Sequence, residues 1–188
     1  MKGQTSEKKA PAISIPTPKS TSNGNGKVSH QDIKTDIGIS DKNRQEVANR
    51  LNILLADEHV LYTKIRNYHW NVEGSNFMEM HKFYEGLYDE VAEQIDEIAE
   101  RIRQLGHYAQ GRLKDFLKQA NLDEQEYTND QRTQLQNLLD DNETIIKYVR
   151  KDIDDFTDKY KDAGNTDFVT GILKNHEKWS WFIRSYLR

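Results

Sequence analysis

The sequence has no cysteine, which excludes a disulfide framework and any thiolate metal site. It has no run of about 18 apolar residues, so nothing reads as a membrane-spanning helix. It has only three prolines, Pro11, Pro16 and Pro18, all near the start of the chain. Strand-length alternation and hairpin signals are missing too, which removes the all-β and α/β classes. The start carries no apolar stretch of the secretory kind, and its basic residues are all lysine, unlike an arginine-rich transit peptide. A cytoplasmic protein is the expectation. A mean hydropathy of −0.94 fits long solvated helix faces.

What is there divides in two. Residues 1–38 gather the prolines with Ser, Thr, Asn and Gly and have little to bury, so they read as a flexible tail. Within residues 1–30, Lys2, Lys8, Lys9, Lys19 and Lys27 face a single acid, Glu7, a net +4. The whole chain carries −4, so the remainder carries −8. A basic arm on an acidic body fits weak phosphate binding, strengthened by avidity if many copies assemble. It fits a solubilising tail equally well. Residues 39–188 form the folded domain.

In that domain the apolar residues recur at helical spacing. Val47, Leu51, Leu54, Leu55, Leu61 and Ile65 mark a first helix from about Asp41 to Val72, broken by Glu73-Gly74-Ser75. Asn76 with Glu79 resembles a cap for a second helix, whose core face reads Phe77, Met80, Tyr84, Leu87, Val91, Ile98, Ile102 and Leu105 before Gly106. Leu113, Phe116 and Leu117 suit a short crossover helix. Thr128 and Gln131 open a third long helix, with Leu135, Leu138, Ile145, Val149, Ile153, Phe156 and Tyr160 inward and Gly164 as its end. Phe168, Ile172, Trp179, Phe182 and Tyr186 mark a fourth. The expected fold is all-α, a four-helix bundle with a crossover helix between the second and third helices.

The chemistry-bearing residues concentrate between Arg66 and Arg101. His69 lies at the end of the first helix, and His81, Glu85, Asp96 and Glu100 lie on the second. Around that helix, Glu85 sits about 40°, Asp96 about 60° and Glu100 about 100° from His81, all on one side. Along it, however, His81 and Asp96 are separated by about 22 Å. Metal–ligand bonds are about 2 Å long, so one ion cannot touch both within one chain. Either the two ends do unrelated jobs, or the histidine end of one subunit meets the acid end of another. A two-fold axis would then create two such sites at once. Imidazole and carboxylate suit Fe(II), Mn or Zn, and an open mixed site suits iron redox chemistry. The Glu-x-x-His pairs that build an intrachain di-iron core are absent. The competing reading is an ordinary set of helix surface charges.

His69-Trp70-Asn71, Gly74, Phe77, His81, Asp96, Ala99-Glu100-Arg101 and Leu105-Gly106 together resemble the signature of the DNA-protection-during-starvation (Dps) miniferritins. The resemblance covers residues 43–187, including the crossover helix and the run Trp179 to Ile183. It implies a hollow shell of twelve subunits with ferroxidase sites at two-fold interfaces and an iron mineral inside. It implies metal ligands His69, His81 and Glu85 from one subunit, with Asp96 and Glu100 from its mate. Many members have Asp at the position of Glu85. It further implies oxidation of Fe(II), typically by hydrogen peroxide, and a cytoplasmic or nucleoid-associated location with DNA reached through the tail. A DNA-condensing shell with secondary iron chemistry and a purely structural bundle are the rivals.

Other residues follow from the same resemblance. Trp70 stands where the family has an electron donor, or it packs. Asp162 and Asp167 stand near the acid-lined three-fold pore through which iron enters, or Asp167 favours a helix N-terminus. His59 and His107 match no ligand position, and the tail residue His30 is a weak candidate for metal binding. His176 reads as a hydrogen-bonded core residue, and Arg101 as a partner of neighbouring carboxylates. Trp179, Trp181 and Phe182 read as core and interface packing.

Overall fold

The computed structural model describes residues 34–188, within which Thr35–Arg188 form one compact unit. The tail lysines and His30 lie outside the described residues. Five helices follow in order: α1 (Asp41–Asn71), α2 (Phe77–Gln104), α3 (Leu113–Gln119), α4 (Gln131–Asp158) and α5 (Ala163–Leu187). Among the described residues there is no strand. Two hairpins, α1 with α2 and α4 with α5, form the four long rods, and α1 also packs on α3 and α4.

Short polar side chains start three of these rods. Ser40, Asp130 and Asp162 each accept a hydrogen bond from the main-chain N–H three residues on. Each such cap contributes about 1 kcal/mol. The expected start of α4 at Thr128 is therefore corrected by two residues. Thr128 accepts from the Asp130 N–H at 3.2 Å and leaves the capping to Asp130 itself. Asn76 precedes α2 but makes no side-chain cap bond.

Gly106 ends α2 as expected. At φ 85° it accepts the left-handed conformation, its N–H bonds Arg103 O and the following His107 N–H bonds Ile102 O. Those are the paired bonds of a Schellman motif, which glycine enters at least cost. Gly164 corrects a second expectation, for it does not end α4 but lies in the first turn of α5. A methyl there would come within 2.7 Å of the Arg101 guanidinium, the movable end of a long side chain.

The crossover is fastened to α1 by buried polar groups. Asp57 Oδ1 accepts from the Asn121 and Leu122 N–H groups at 2.5 and 3.1 Å, and Oδ2 from the Asn121 amide at 2.9 Å. Lys64 donates to Asp123 O and to Asp141 on α4, at 2.9 and 2.5 Å. Asn52 accepts from the Gln110 N–H. These anchors substitute for apolar burial on a link whose own helix hides only Phe116.

The core faces of α1, α2 and α4 lie largely where the periodicity put them. Phe77 is the exception on α2, being 38% exposed. On α5 the buried face runs Val169, Ile172, Leu173, His176, Trp179, Ser180 and Ile183, so Phe182 and Tyr186 point outward instead. Together with Leu113, Leu117 and Trp181 they leave a single chain with large apolar side chains uncovered.

Candidate metal centre

Because α1 and α2 meet at a tight corner, His69 in the last turn of one stands against His81 near the start of the other. Their rings stack at 3.7 Å between centroids and 21° between planes. His69 Nδ1 lies 2.8 Å from His81 O, and His81 Nδ1 lies 2.9 Å from His69 O. A carbonyl can only accept, so both Nδ1 atoms carry hydrogen. That leaves Nε2 of each ring as the ligating nitrogen, and the described residues supply it with no hydrogen-bond partner. A main-chain carbonyl fixing the tautomer is the usual outer support of a metal-binding imidazole.

The pair sits in a column of rings. Phe77 stacks on the outer side of His81 at 5.2 Å, which explains its departure from the core, and Tyr88 meets His69 edge-on at 5.3 Å. Arg66 lies over Tyr88, Trp70 and Tyr62 at 4.9, 5.1 and 5.6 Å and donates to the Tyr62 hydroxyl. Tyr62, Arg66 and Trp70 are spaced four apart along α1, a pattern that could have been found. Trp70 is 62% exposed, so it packs no core within the chain.

Glu85 lies one turn beyond His81 and half-buried. Lys82 holds it at 2.5 Å, and that hydrogen bond keeps its carboxyl below the usual range. Asp96 and Glu100 are exposed farther along α2. Among the described residues no three His, Cys, Asp or Glu side chains converge. His69 and His81 thus stand together at the α1–α2 corner, while Asp96 and Glu100 lie farther along α2.

Around the carboxylate end, Glu97, Glu100, Gln104, Gly164 and Asp167 line a groove of about 410 Å³ between α2 and α5. Glu100 and Asp167 are therefore brought together. Asp162 is not, being 2% exposed and engaged with the Asn165 N–H and amide at 3.0 and 2.6 Å. Its place is a helix cap, not an open wall. Arg101 also departs from expectation, donating to Asn165 Oδ1 and Gln104 Oε1 and to no carboxylate. His59 stacks on Phe116 at 4.0 Å, with burial pushing its pKa down. His107 lies 3.8 Å from Asp41, and burial lowers its pKa as well.

The family model of the ferritin-like domain matches residues 48–188. The DNA protection during starvation protein of Porphyromonas gingivalis is 34% identical over 149 residues, 79% of this chain and 93% of that protein. The chain belongs to the Dps branch of the ferritin-like family. A low temperature-induced protein of Nostoc is 39% identical over 155 residues, 82% of this chain and 87% of its own length. The crystal structure of a Dps protein from Vibrio cholerae O1, described as a member of a superfamily of ferritin-like diiron-carboxylate proteins, has a TM-score of 0.79 at 30% identity. It covers 82% of this chain and 96% of that one. Iron storage and DNA protection are the roles of the Dps family as a whole. No helix among the described residues is long and apolar enough to cross a membrane.

Proposed function

We propose that this Dps protein oxidises Fe(II) at sites shared between two-fold related subunits and stores the ferric product inside a closed shell, the dodecamer of its family. One observation carries this reading. The two imidazoles are locked to opposite main chains, and among the described residues neither Nε2 atom has a hydrogen-bond partner. A structural histidine pair would use that nitrogen, whereas a metal-binding pair must keep it available. His69, His81 and Glu85 of one subunit hold Fe(II), and Asp96 and Glu100 of its mate complete the coordination.

Iron is here substrate and cargo. Two ferrous ions each give one electron to one molecule of hydrogen peroxide, which takes two protons and leaves as water. Removing both reagents at once stops the one-electron reaction that makes hydroxyl radicals, so DNA is protected chemically. The acidic groove holding Glu100 and Asp167 draws cations toward this end of the subunit by its field. Trp70, exposed beside Arg66, is placed to donate an electron to a stray oxidant. Direct DNA contact would fall to the tail lysines, a reading that rests on their charge alone.

Mixing tests the shared site. His69→Ala and Asp96→Ala chains should each assemble and oxidise Fe(II) very slowly with peroxide. Co-assembled, a mixed pair has one doubly damaged site and one intact site. Random mixing should thus restore about a quarter of the sites. Mixed shells as inactive as their parents would sink the intersubunit arrangement.

A further inference from the structure

The ring column beside His69 continues away from the imidazole pair into a cluster that the two-iron reaction does not need. Tyr88 on α2 meets His69 edge-on, at 5.3 Å between centroids and 82° between planes. Tyr62 on α1 meets Tyr88 in turn at 6.1 Å and 89°. The Arg66 guanidinium lies over Tyr88, Trp70 and Tyr62 at 4.9, 5.1 and 5.6 Å, and it donates to the Tyr62 hydroxyl at 2.8 Å. Three oxidisable rings thus share one cation beside one ligating imidazole. Trp70 is the outermost at 62% exposed, whereas Tyr88 and Tyr62 are half-buried.

The cation decides how these rings can be oxidised. A guanidinium on a ring face opposes removal of an electron, because the ring would become a second positive charge beside the first. A phenol avoids that penalty by losing its proton together with the electron, which leaves a neutral radical. An indole does the same where water can take its N–H proton, as at the surface position of Trp70. The guanidinium also fills the space between Tyr88 and Trp70 with bonded atoms, which electrons cross more readily than a gap.

We infer that Tyr88 is the electron donor nearest the iron site and that Arg66 couples it to Trp70, a relay that carries oxidising equivalents outward. This rests on the ferroxidase reading above. The relay acts when a site holds one ferrous ion instead of two. Hydrogen peroxide then takes one electron from Fe(II) and one from Tyr88 together with the phenolic proton. One more proton from solvent completes its reduction to two waters, leaving Fe(III) and a neutral tyrosyl radical. Trp70 next returns an electron to Tyr88, solvent returns the proton, and the indole gives its own proton to water. Without Tyr88 the same encounter yields Fe(III), hydroxide and a hydroxyl radical. Tyr88 reaches the reaction through its contact with His69, so it is a donor outside the coordination sphere. Tyr62 touches Tyr88 but not the imidazoles, which makes it a side branch.

The test uses the full-length shell, loaded anaerobically with Fe(II) at well under one ion per site, mixed with an equal amount of peroxide and rapidly frozen. Electron paramagnetic resonance should show a tyrosyl radical that narrows with ring-deuterated tyrosine, followed by a tryptophan radical that Trp70→Phe removes. Tyr88→Phe keeps the ring and its contacts, and it should abolish the early tyrosyl signal while spin-trapped hydroxyl radical rises. Tyr62→Phe should keep the early signal, and Arg66→Met should strand it with no tryptophan signal after it. If Tyr88→Phe does not assemble, a radical-trap adduct on the parent shell, mapped by peptide mass spectrometry, must fall at residue 88. An early tyrosyl signal that survives Tyr88→Phe, an adduct elsewhere, or undiminished transfer in Arg66→Met would overturn the relay. Iron oxidation is followed optically in the same samples. Its absence in the parent sinks the ferroxidase reading and the relay with it, whereas oxidation with no organic radical sinks the relay alone.

Discussion

The Lys82 ammonium stands 2.5 Å from Glu85 Oε2. The carboxylate expected to complete the second iron position therefore arrives with its own counter-ion. Both side chains remain accessible, so water and salt screen the pair. Lys82→Met should tighten Fe(II) binding at that position by up to about fivefold, and more at low salt than at high salt. Anaerobic Fe(II) titration calorimetry checks this, and unchanged affinity would mean Glu85 does not ligate.

Asp57 gives a pH dependence whose sign can be worked out. Burial pushes its carboxyl up to about 6, against hydrogen bonds from Asn121 and Leu122 that favour the charged form. The folded chain then holds a proton at pH values where the unfolded chain has released it. This group's contribution is most favourable below the unfolded pKa and is lost as pH rises through about 6. In denaturant titrations Asp57→Asn should flatten that part of the stability profile, a difference of about 2–3 kcal/mol between pH 4 and 7. A profile that keeps its shape would mean the carboxylate titrates normally.

Lys64 and Asp141 form a buried pair, with side chains 5% and 6% exposed. Lys64→Met strands a carboxylate whose pKa burial already raises. The expected loss is about 3–5 kcal/mol, and adding Asp141→Leu should recover most of it. Chemical denaturation of the two variants side by side distinguishes a stranded charge from lost packing.

At Gly106 the positive φ and the Thr35 hydroxyl leave no room for a side chain. Gly106→Ala should cost about 1–3 kcal/mol and lower the melting temperature, leaving the iron oxidation rate of the folded shell unchanged.

Removing residues 1–30 takes away the net +4 and should abolish salt-sensitive retardation of DNA in gels while peroxide-driven iron oxidation continues. If the shortened shell still retards DNA, the contacts lie on the helical body.

The helical order and the meeting of His69 with His81 were legible because both depend on spacing along one chain. Val47 through Ile65 keep one stripe, and Gly106 stops α2 by a conformation only glycine adopts cheaply. On α5 the apolar spacing alone did not separate the buried Ile172 and Trp179 from the exposed Phe182 and Tyr186, for an exposed aromatic looks in sequence like a buried one. Arg101 was misread because its partner, Asn165, belongs to another helix and carries no charge. Glu58 and His176 sit 118 residues apart, and no local pattern announces that they touch.

The crossed histidine bonds have a mechanical corollary. Each ring is moored to the opposite rod, so any ion gripping both imidazoles also rivets the bend at residues 72–76. Loading with cation should therefore harden this bend against fraying, and heat resistance would then report occupancy without any redox chemistry taking place.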